Sequence, residues 1–225
     1  MFIHLDLDCF FVSAHRTIDD SLFHIPVAVG GRSNLNIFSS KKEIRKISEN
    51  SGAFVSTILT NEGQKTFKEY FVDENGKIRG IITTSSYEAR AFGVKTAMSV
   101  NEALTLCPHL KMLPPNYPLY HELSTKLKEL LIKEIPLVEQ FSIDEFFGDV
   151  SGYIDESEVV AFAYYLKKKI YDELKLPISI GIANTKYLSK LITEYAKPDG
   201  VKYVSVDNIG NFIKDIPIKE FPGIG

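Results

Sequence analysis

Apolar and polar residues alternate along the first eight positions of the chain. This period of two is typical of a β-strand, whose successive side chains point to opposite faces. Met1, Ile3, Leu5 and Leu7 form one set, and Phe2, His4, Asp6 and Asp8 form the other. The pattern predicts a strand that ends in two carboxylates, and residues 9–19 after it are compatible with a helix.

Helical spacing of apolar residues recurs in three longer segments. Residues 117–135, 156–174 and 184–196 each place apolar side chains three and four positions apart, as amphipathic helices do. Asn184 or Thr185 is the expected N-cap of the last one. Ser85 and Glu88 have capping-box spacing, which predicts a short helix that Gly93 closes.

Short apolar runs between these segments predict further strands. Residues 25–31, 177–183 and 200–206 are single strands, and residues 137–150 form a β-hairpin. Asn75-Gly76 predicts another hairpin within residues 67–86. The mostly polar residues 39–50 are expected to be helical.

The order of these elements predicts an α+β fold with helices on a mostly antiparallel sheet. The strands near residues 1–8, 139–149 and 178–205 fit a ferredoxin-like βαββαβ unit. Because such folds support many activities, function has to be argued from the site.

Composition narrows the class of protein only modestly. The 225 residues are 44% hydrophobic and 24% charged, which is ordinary for a globular protein. We expect no membrane span, because no apolar run approaches about 18 residues, and we expect no secretory signal. Cys9 and Cys107, without metal-like spacing, indicate a reducing compartment. The net charge of −3 is not that of a typical nucleic-acid binder.

Carboxylates stand at the ends of two predicted strands. Asp6 and Asp8 end the first, and Asp144 and Glu145 lie inside the hairpin segment. If these strands are neighbours, their carboxylates converge, and oxygen-rich clusters of this kind suit Mg²⁺. Two such ions support phosphoryl transfer. Asp144 and Glu145 can share a centre only at a turn or bend, because consecutive strand residues face opposite ways.

Cationic residues could provide the partners of a phosphate group. Tyr87 and Arg90 are three apart on the short helix and therefore share a face, and an arginine fork suits phosphate oxygens. Lys186 and Lys190 are four apart on the helix after residue 184.

Six ordered blocks of the chain resemble the Y-family translesion DNA polymerases, and most closely their DNA polymerase IV type. The blocks are HLDLDCFF, SSYEARAFGVKTAMS, LCPHLKMLPPNYPLY, FSIDEFF, GIANTKYLSKLITEYAKPDG and FPGIG. They cover nearly the whole chain apart from about residues 33–79.

The resemblance implies a right-hand polymerase. Residues 1–10 and 116–197 would form the catalytic palm, residues 11–115 the fingers, and residues 198–225 the start of a truncated thumb. Asp6, Asp144 and Glu145, with the main-chain carbonyl of Leu7, would hold two Mg²⁺ ions, while Asp8 would be structural.

The resemblance also implies a nucleotide site. Tyr87, Arg90 and Lys190 match residues that contact the triphosphate, and Thr84 is a weaker candidate. Phe11 matches the steric gate that excludes a ribose 2′-hydroxyl, with Phe10 beside it. The expected partners are primer-template DNA, a deoxynucleoside triphosphate and a sliding clamp bound through a missing C-terminal part. The expected location is the cytoplasm.

Some residues depart from the family pattern. His15 stands where relatives often have Glu, and the sequence DEFFGD (144–149) replaces the usual DEAYLD. Residues 33–79 are longer than the family's connection there, and we expect a structured decoration of the fingers, away from Asp6 and Asp144.

Three further classes of protein stay open at this point. The opening motif also resembles the DxDx[TV] strand of haloacid-dehalogenase-type phosphatases, although Phe10 takes the Thr/Val place. A nucleotide cyclase, whose palm-like core also uses paired carboxylates, and a catalytically silent nucleic-acid-binding module are the other two. The six blocks favour the polymerase over all three.

Overall fold

The computed structural model describes residues 1–32 and 64–224. The helix expected at residues 39–50 lies outside these ranges. The described chain divides into two compact units, Met1–Asp8 with Glu122–Gly225 (unit 1) and Cys9–His121 (unit 2). The palm, fingers and thumb boundaries stay predictions, and residues 198–225 belong to unit 1.

Unit 1 is built on a five-stranded sheet. Its strands are β1 (Phe2–Leu7), β5 (Leu137–Gln140), β6 (Glu145–Asp149), β7 (Ile178–Ala183) and β8 (Val201–Tyr203). They lie in the order β5-β6-β1-β7-β8. β1 is antiparallel to both β6 and β7, and only β8 pairs in parallel, with β7. The strands β5-β6-β1-β7 have the ferredoxin-like order, and the predicted α+β class is confirmed. The antiparallel pair of β5 and β6 confirms the hairpin of residues 137–150.

The helices of unit 1 cover both faces of this sheet. They are α6 (Val159–Leu174), α7 (Lys186–Glu194), α8 (Ile209–Ile213) and most of α5 (Tyr117–Glu134), which begins in unit 2. Thr185 caps α7 by accepting from the Leu188 amide, which decides between the two expected caps. Both side-chain sets of β1 are consequently buried, including His4 and Asp6.

Helix α7 lies unusually close to the sheet because β7 has a glycine beneath it. A Cβ at Gly181 would lie 2.5 Å from the backbone nitrogen of Thr193, closer than packed atoms approach. Gly181 pairs with His4 across β1 and β7, and the His4 imidazole nitrogen Nδ1 lies 2.9 Å from the Thr193 hydroxyl. The sheet face with His4 and Asp6 is therefore the face that α7 covers.

Unit 2 has a three-stranded sheet in the order β3-β2-β4. The strands are β2 (Val27–Gly31), β3 (Ile81–Ser85) and β4 (Lys111–Leu113). The helices that lie wholly in it are α1 (Phe10–Arg16), α2 (Phe67–Phe71), α3 (Tyr87–Ala91) and α4 (Val100–Leu106). None of the helices in the two described ranges has the length and apolar character that a bilayer-spanning segment needs.

Two local predictions in unit 2 differ from the structure. Residues 67–71 form a helix with a Thr66–Glu69 capping box rather than a hairpin arm. The hairpin at Gly76 is confirmed only in a short form, in which an antiparallel bridge between Val72 and Ile78 flanks the turn. The N-cap of α3 is Ser86, not Ser85, which ends β3. Gly93, with a φ of +88°, does close α3 as expected.

Candidate active site

Asp6 and Glu145 are direct partners across the antiparallel pair of β1 and β6. Directly opposed residues of such a pair have side chains on the same face. The next pairing is a backbone hydrogen bond of 3.1 Å from the Leu7 amide to the Asp144 carbonyl oxygen. The structure thus brings Asp6, Leu7, Asp144 and Glu145 to one point in unit 1, where β1 ends and β6 begins.

Asp144 lies in a bend immediately before β6, which is the bend that the sequence required. The hydroxyl of Ser142 organises it by donating to the Asp144 carboxylate at 2.6 Å. The same oxygen accepts from the backbone amides of Asp144 and Glu145 at 3.3 and 3.1 Å. Adjacent carboxylates can consequently both belong to the site despite strand alternation.

Burial shifts the pKa values of these carboxylates. It raises the pKa of Asp6, and the neighbouring Lys197 offsets this effect only in part. Burial also raises the pKa of Asp144; the hydrogen bond from Ser142 acts against it, and the negative charge of Glu145 adds to it. A cation placed among them would relieve both the desolvation and the mutual repulsion.

Two lysines supply positive charge to the cluster. Lys197 Nζ lies 2.9 Å from Asp6 Oδ2 and 2.7 Å from Glu194 Oε1, and Lys190 Nζ lies 2.5 Å from Glu145 Oε2. Burial would raise the pKa of Glu145, but its contacts with His4 and Lys190 hold that pKa well below the usual range. Burial lowers the pKa of His4 itself, against the opposing effect of its contact with Glu145.

Sequence reasoning missed Lys197 and His4. Lys197 falls in the matched block just before Pro198, but nothing in its spacing indicates that it turns back towards β1. His4 and Asp6 belong to the same set of alternating positions in the strand, so the pattern already places both side chains on one face. The His4 Nε2 atom is 3.8 Å from Glu145 Oε2. This buried atom has no hydrogen-bond partner among the described residues.

The donor set fits a hard divalent cation, although the side chains are turned towards lysines. In the part of the chain that the structure describes, no three His, Cys, Asp or Glu residues are placed to hold a metal ion as they stand. Asp6 and Glu145 each pair with an ammonium group. Three carboxylates and a main-chain carbonyl are nevertheless the oxygen ligands that Mg²⁺ prefers.

Asp8 has a different environment from Asp6, as expected of a structural residue. It is 2% exposed and accepts hydrogen bonds from the Ser179 hydroxyl at 2.9 and 3.0 Å and from the Asp199 amide at 2.7 Å. Asp8 therefore ties the end of β1 to β7 and to the loop that follows Lys197.

The candidate triphosphate residues Tyr87 and Arg90 lie together in unit 2. The Arg90 guanidinium carbon is 4.8 Å from the centre of the Tyr87 ring, and its Nε donates to the Ser85 carbonyl at 3.1 Å. Arg90 is exposed, so its other donors face solvent. This confirms that the two share a face of α3.

Phe11 is partly exposed, whereas Phe10 is 2% exposed. Phe11 and Tyr87 both pack against a buried cluster of unit 2. That cluster contains Cys9, Val12, Leu22, Val27 and Val29. Thr84 pairs with Val29 beside the bulge between β2 and β3 and is partly exposed. Their nucleotide roles stay predictions.

The residues that depart from the DEAYLD pattern are packed inside unit 1. Phe146 is fully buried and Phe147 nearly so, and the Phe147 ring centre lies 4.6 Å from that of His4. A Cβ at Gly148 would lie 3.0 Å from Ile3 and Ile135 side-chain atoms. These changes alter the packing beneath the site and remove none of its carboxylates.

The curated proteins similar to this chain include DNA polymerase IV from several bacteria. The chain is 33% identical over 224 residues to DNA polymerase IV of Photorhabdus laumondii, covering 99% of this chain and 52% of the relative. It is 32% identical to DNA polymerase IV of Serratia proteamaculans, with 99% and 51% coverage. The chain therefore spans about half the length of these curated relatives.

Solved structures show the same fold. An insertion ternary complex of Dbh DNA polymerase superposes with a TM-score of 0.77 at 24% identity, covering 100% of this chain and 54% of that one. DinB from Sulfolobus solfataricus gives a TM-score of 0.76 at 23% identity, with the same coverage.

The model of the impB/mucB/samB family matches residues 5–194. This range contains Asp6, Asp144 and Glu145 of the carboxylate cluster, and Arg90 and Lys190 of the cationic residues; Lys197 follows it by three positions. The chain belongs to the impB/mucB/samB family and is a homologue of the Y-family DNA polymerases of the DNA polymerase IV type.

Proposed function

We propose that this chain carries the catalytic part of a template-directed DNA polymerase that adds deoxynucleotides to a primer 3′ end. The observation that carries the proposal is the direct pairing of Asp6 with Glu145, with Asp144 in the adjoining bend. A partly buried carboxylate cluster at the ends of two paired strands suits metal-assisted phosphoryl transfer.

Asp6, Asp144, Glu145 and the Leu7 carbonyl would hold two Mg²⁺ ions. Bound there, Mg²⁺ would lower the barrier by stabilising the charge on the attacking and leaving oxygens. The protein's own part is to keep three carboxylates desolvated and correctly placed. Ser142 fixes the bend, and the β1–β6 register fixes the spacing of Asp6 and Glu145.

Cationic side chains would hold the triphosphate. Arg90 offers a guanidinium fork that Tyr87 supports from one side, which suits phosphate oxygens. Lys190 carries an ammonium group on α7 beside Glu145, and Thr84 offers a hydroxyl. Phe11 would lie under the sugar and exclude a ribose, because a flat ring leaves no room for a 2′-hydroxyl.

Unit 1 corresponds in this proposal to the palm with the start of the thumb, and unit 2 to the fingers. The chain would act on primer-template DNA and deoxynucleoside triphosphates in error-prone translesion synthesis. A sliding clamp would bind through a region outside this chain. Membership of the family favours this function over the phosphatase and the cyclase.

A matched pair of variants tests the proposal. Glu145→Gln and Glu139→Gln each remove a carboxylate that accepts from a lysine of α7, Lys190 and Lys186 respectively. Single-nucleotide addition to a labelled primer-template is measured with Mg²⁺ at high protein concentration. The expected result is loss of addition in Glu145→Gln and in Asp144→Asn, and retention in Glu139→Gln.

The proposal fails if the chain itself adds no nucleotide under these conditions. It also fails if a folded Glu145→Gln or Asp144→Asn variant extends as well as the parent. Equal loss in Glu139→Gln would show that general disturbance of α7, rather than the carboxylate cluster, causes the effect.

A further inference from the structure

The Phe11 ring has a defined support within unit 2. It is stacked on the ring of Tyr120, with centroids 4.3 Å apart and planes inclined by 16°. Tyr120 is fully buried, and its ring also meets those of Phe10 and Tyr117. One face of Phe11 is thus covered by a ring that has little room to move.

The Tyr120 hydroxyl is in turn anchored by His15. His15 Nε2 lies 2.9 Å from the Tyr120 oxygen, and both groups are buried. The second hydrogen-bond partner of the imidazole is the backbone of Pro114. Proline has no N–H, so this partner accepts, and the histidine uses its single proton there. Nε2 is left as the acceptor of the tyrosine proton.

The protonation states agree with this chain of donors. Burial lowers the pKa of His15, against smaller opposing effects of the Pro114 hydrogen bond and the Asp19 carboxylate. Burial raises the pKa of Tyr120 far above its ordinary value. The pair is consequently neutral, and the tautomer that donates to the Pro114 carbonyl lets the tyrosine donate to Nε2.

We propose that His15 is a positioning residue for sugar selection, which acts through Tyr120 on the Phe11 ring. This inference rests on the proposed function, since it assigns the sugar contact to Phe11. A ring excludes one extra oxygen only if it cannot recede by a fraction of an ångström, and such placement depends on the groups behind it. The uncharged His15 ring offers Nε2 as an acceptor for the tyrosine proton.

Four variants separate this role from mere packing. His15→Leu removes the acceptor and Tyr120→Phe removes the donor while keeping the stacked ring. The double variant combines them, and His15→Gln restores an acceptor. His109→Leu is the control, a histidine of the same unit whose described contacts are with Phe92 and Cys107.

The first readout is the ratio of kcat/KM for ribonucleotide and deoxynucleotide addition. We expect each single variant to raise relative ribonucleotide use about threefold to tenfold, the range of one hydrogen bond. The double variant should be no worse than the singles, because both act on one bond. His15→Gln should recover most of the discrimination, and His109→Leu should keep all of it.

An unchanged ratio in folded His15→Leu and Tyr120→Phe would overturn the inference, as would effects that multiply in the double variant. The second readout is the ring-flip rate of Phe11, followed by NMR on ¹³C-labelled phenylalanine without any substrate. The rate should rise in His15→Leu and Tyr120→Phe, and an unchanged rate would also overturn the inference. If the parent chain adds neither nucleotide, the proposed function fails and the ring-flip rates alone decide the positioning role.

Discussion

The ammonium group of Lys197 lies 2.9 Å from the carboxylate of Asp6 and bridges it to Glu194 on α7. Asp6 is 6% exposed, so an ionised form needs a nearby positive charge. Lys197 meets this need. If Asp6 binds a divalent cation as proposed, the ammonium group and the cation compete for the same oxygen.

Removing this competitor should strengthen metal binding. We expect Lys197→Met to bind Mn²⁺ more tightly by about tenfold, the equivalent of one pKa unit. Binding is measured by electron paramagnetic resonance titration at several pH values above about 8, because Lys197 lowers the pKa of Asp6 and its removal favours the protonated carboxyl. Lys186→Met, which breaks the exposed pair with Glu139, is the control and should leave affinity unchanged. Weaker or equal binding by Lys197→Met would contradict the competition.

Truncation of the proposed gate should relax sugar selection. Phe11→Ala should raise ribonucleotide addition relative to deoxynucleotide addition by about tenfold or more, since the excluded volume is removed. Single-nucleotide addition with matched ribo- and deoxynucleotides measures the ratio. Should Phe11→Ala reject ribonucleotides as strongly as the parent, Phe10 becomes the residue to test.

The contact of α7 with β7 should tolerate no side chain at position 181. Gly181→Ala should lower the free energy of unfolding by about 2–3 kcal/mol, because the added methyl group meets helix backbone that cannot rotate away. Gly210→Ala is the control; its Cβ would meet nothing within 4 Å, and alanine favours a helix by up to about 1 kcal/mol. Urea unfolding followed by tyrosine fluorescence measures both, as the chain has no tryptophan. Equal stability of Gly181→Ala and the parent would show that α7 can shift freely.

Buried neutral histidine should make stability depend on pH. Burial lowers the pKa of His15 in the folded protein, so below about pH 6.5 the unfolded chain binds more protons than the folded one. The contribution of His15 to stability therefore falls as pH decreases from about 6.5, by at most about 1.4 kcal/mol per pH unit. The raised pKa values of Asp6 and Asp144 act in the opposite direction, so the test compares the parent with the variant. His15→Gln should flatten the curve relative to the parent, leaving the share of His4, whose pKa is also lowered. Parallel curves for parent and His15→Gln would contradict the prediction.

Sequence patterns predict the secondary-structure elements that are determined by residues close to one another in the sequence. The strand alternation before Asp8, the helical spacing of residues 117–135 and the glycine that closes α3 all depend on near neighbours. The helix at Phe67–Phe71 escapes prediction because the Asn75-Gly76 hairpin signal extends over residues that have their own cap at Thr66. Strand β4 is three residues long and pairs in parallel with β2, which no short-range pattern indicates.

In the candidate site, too, the sequence predicts the residues marked by local patterns and misses the contacts between distant ones. Strand ends and residue types indicate Asp6, Asp144 and Glu145, and the resemblance supplies their grouping. Lys197 reaches Asp6 from 191 residues away in sequence, and the Tyr120 hydroxyl reaches His15 from 105 residues away. Contacts of this kind depend on the completed fold, so a single sequence without its structure does not show them.

The placement of β1 has a consequence for how the chain matures on the ribosome. β1 is synthesised before both of its partner strands, which begin only at Glu145 and Ile178. All of unit 2 is synthesised in between and has its own sheet and core. It can therefore fold before the partner strands of β1 have been synthesised. During that interval an apolar strand with unpaired backbone groups is accessible to chaperones and to other nascent chains.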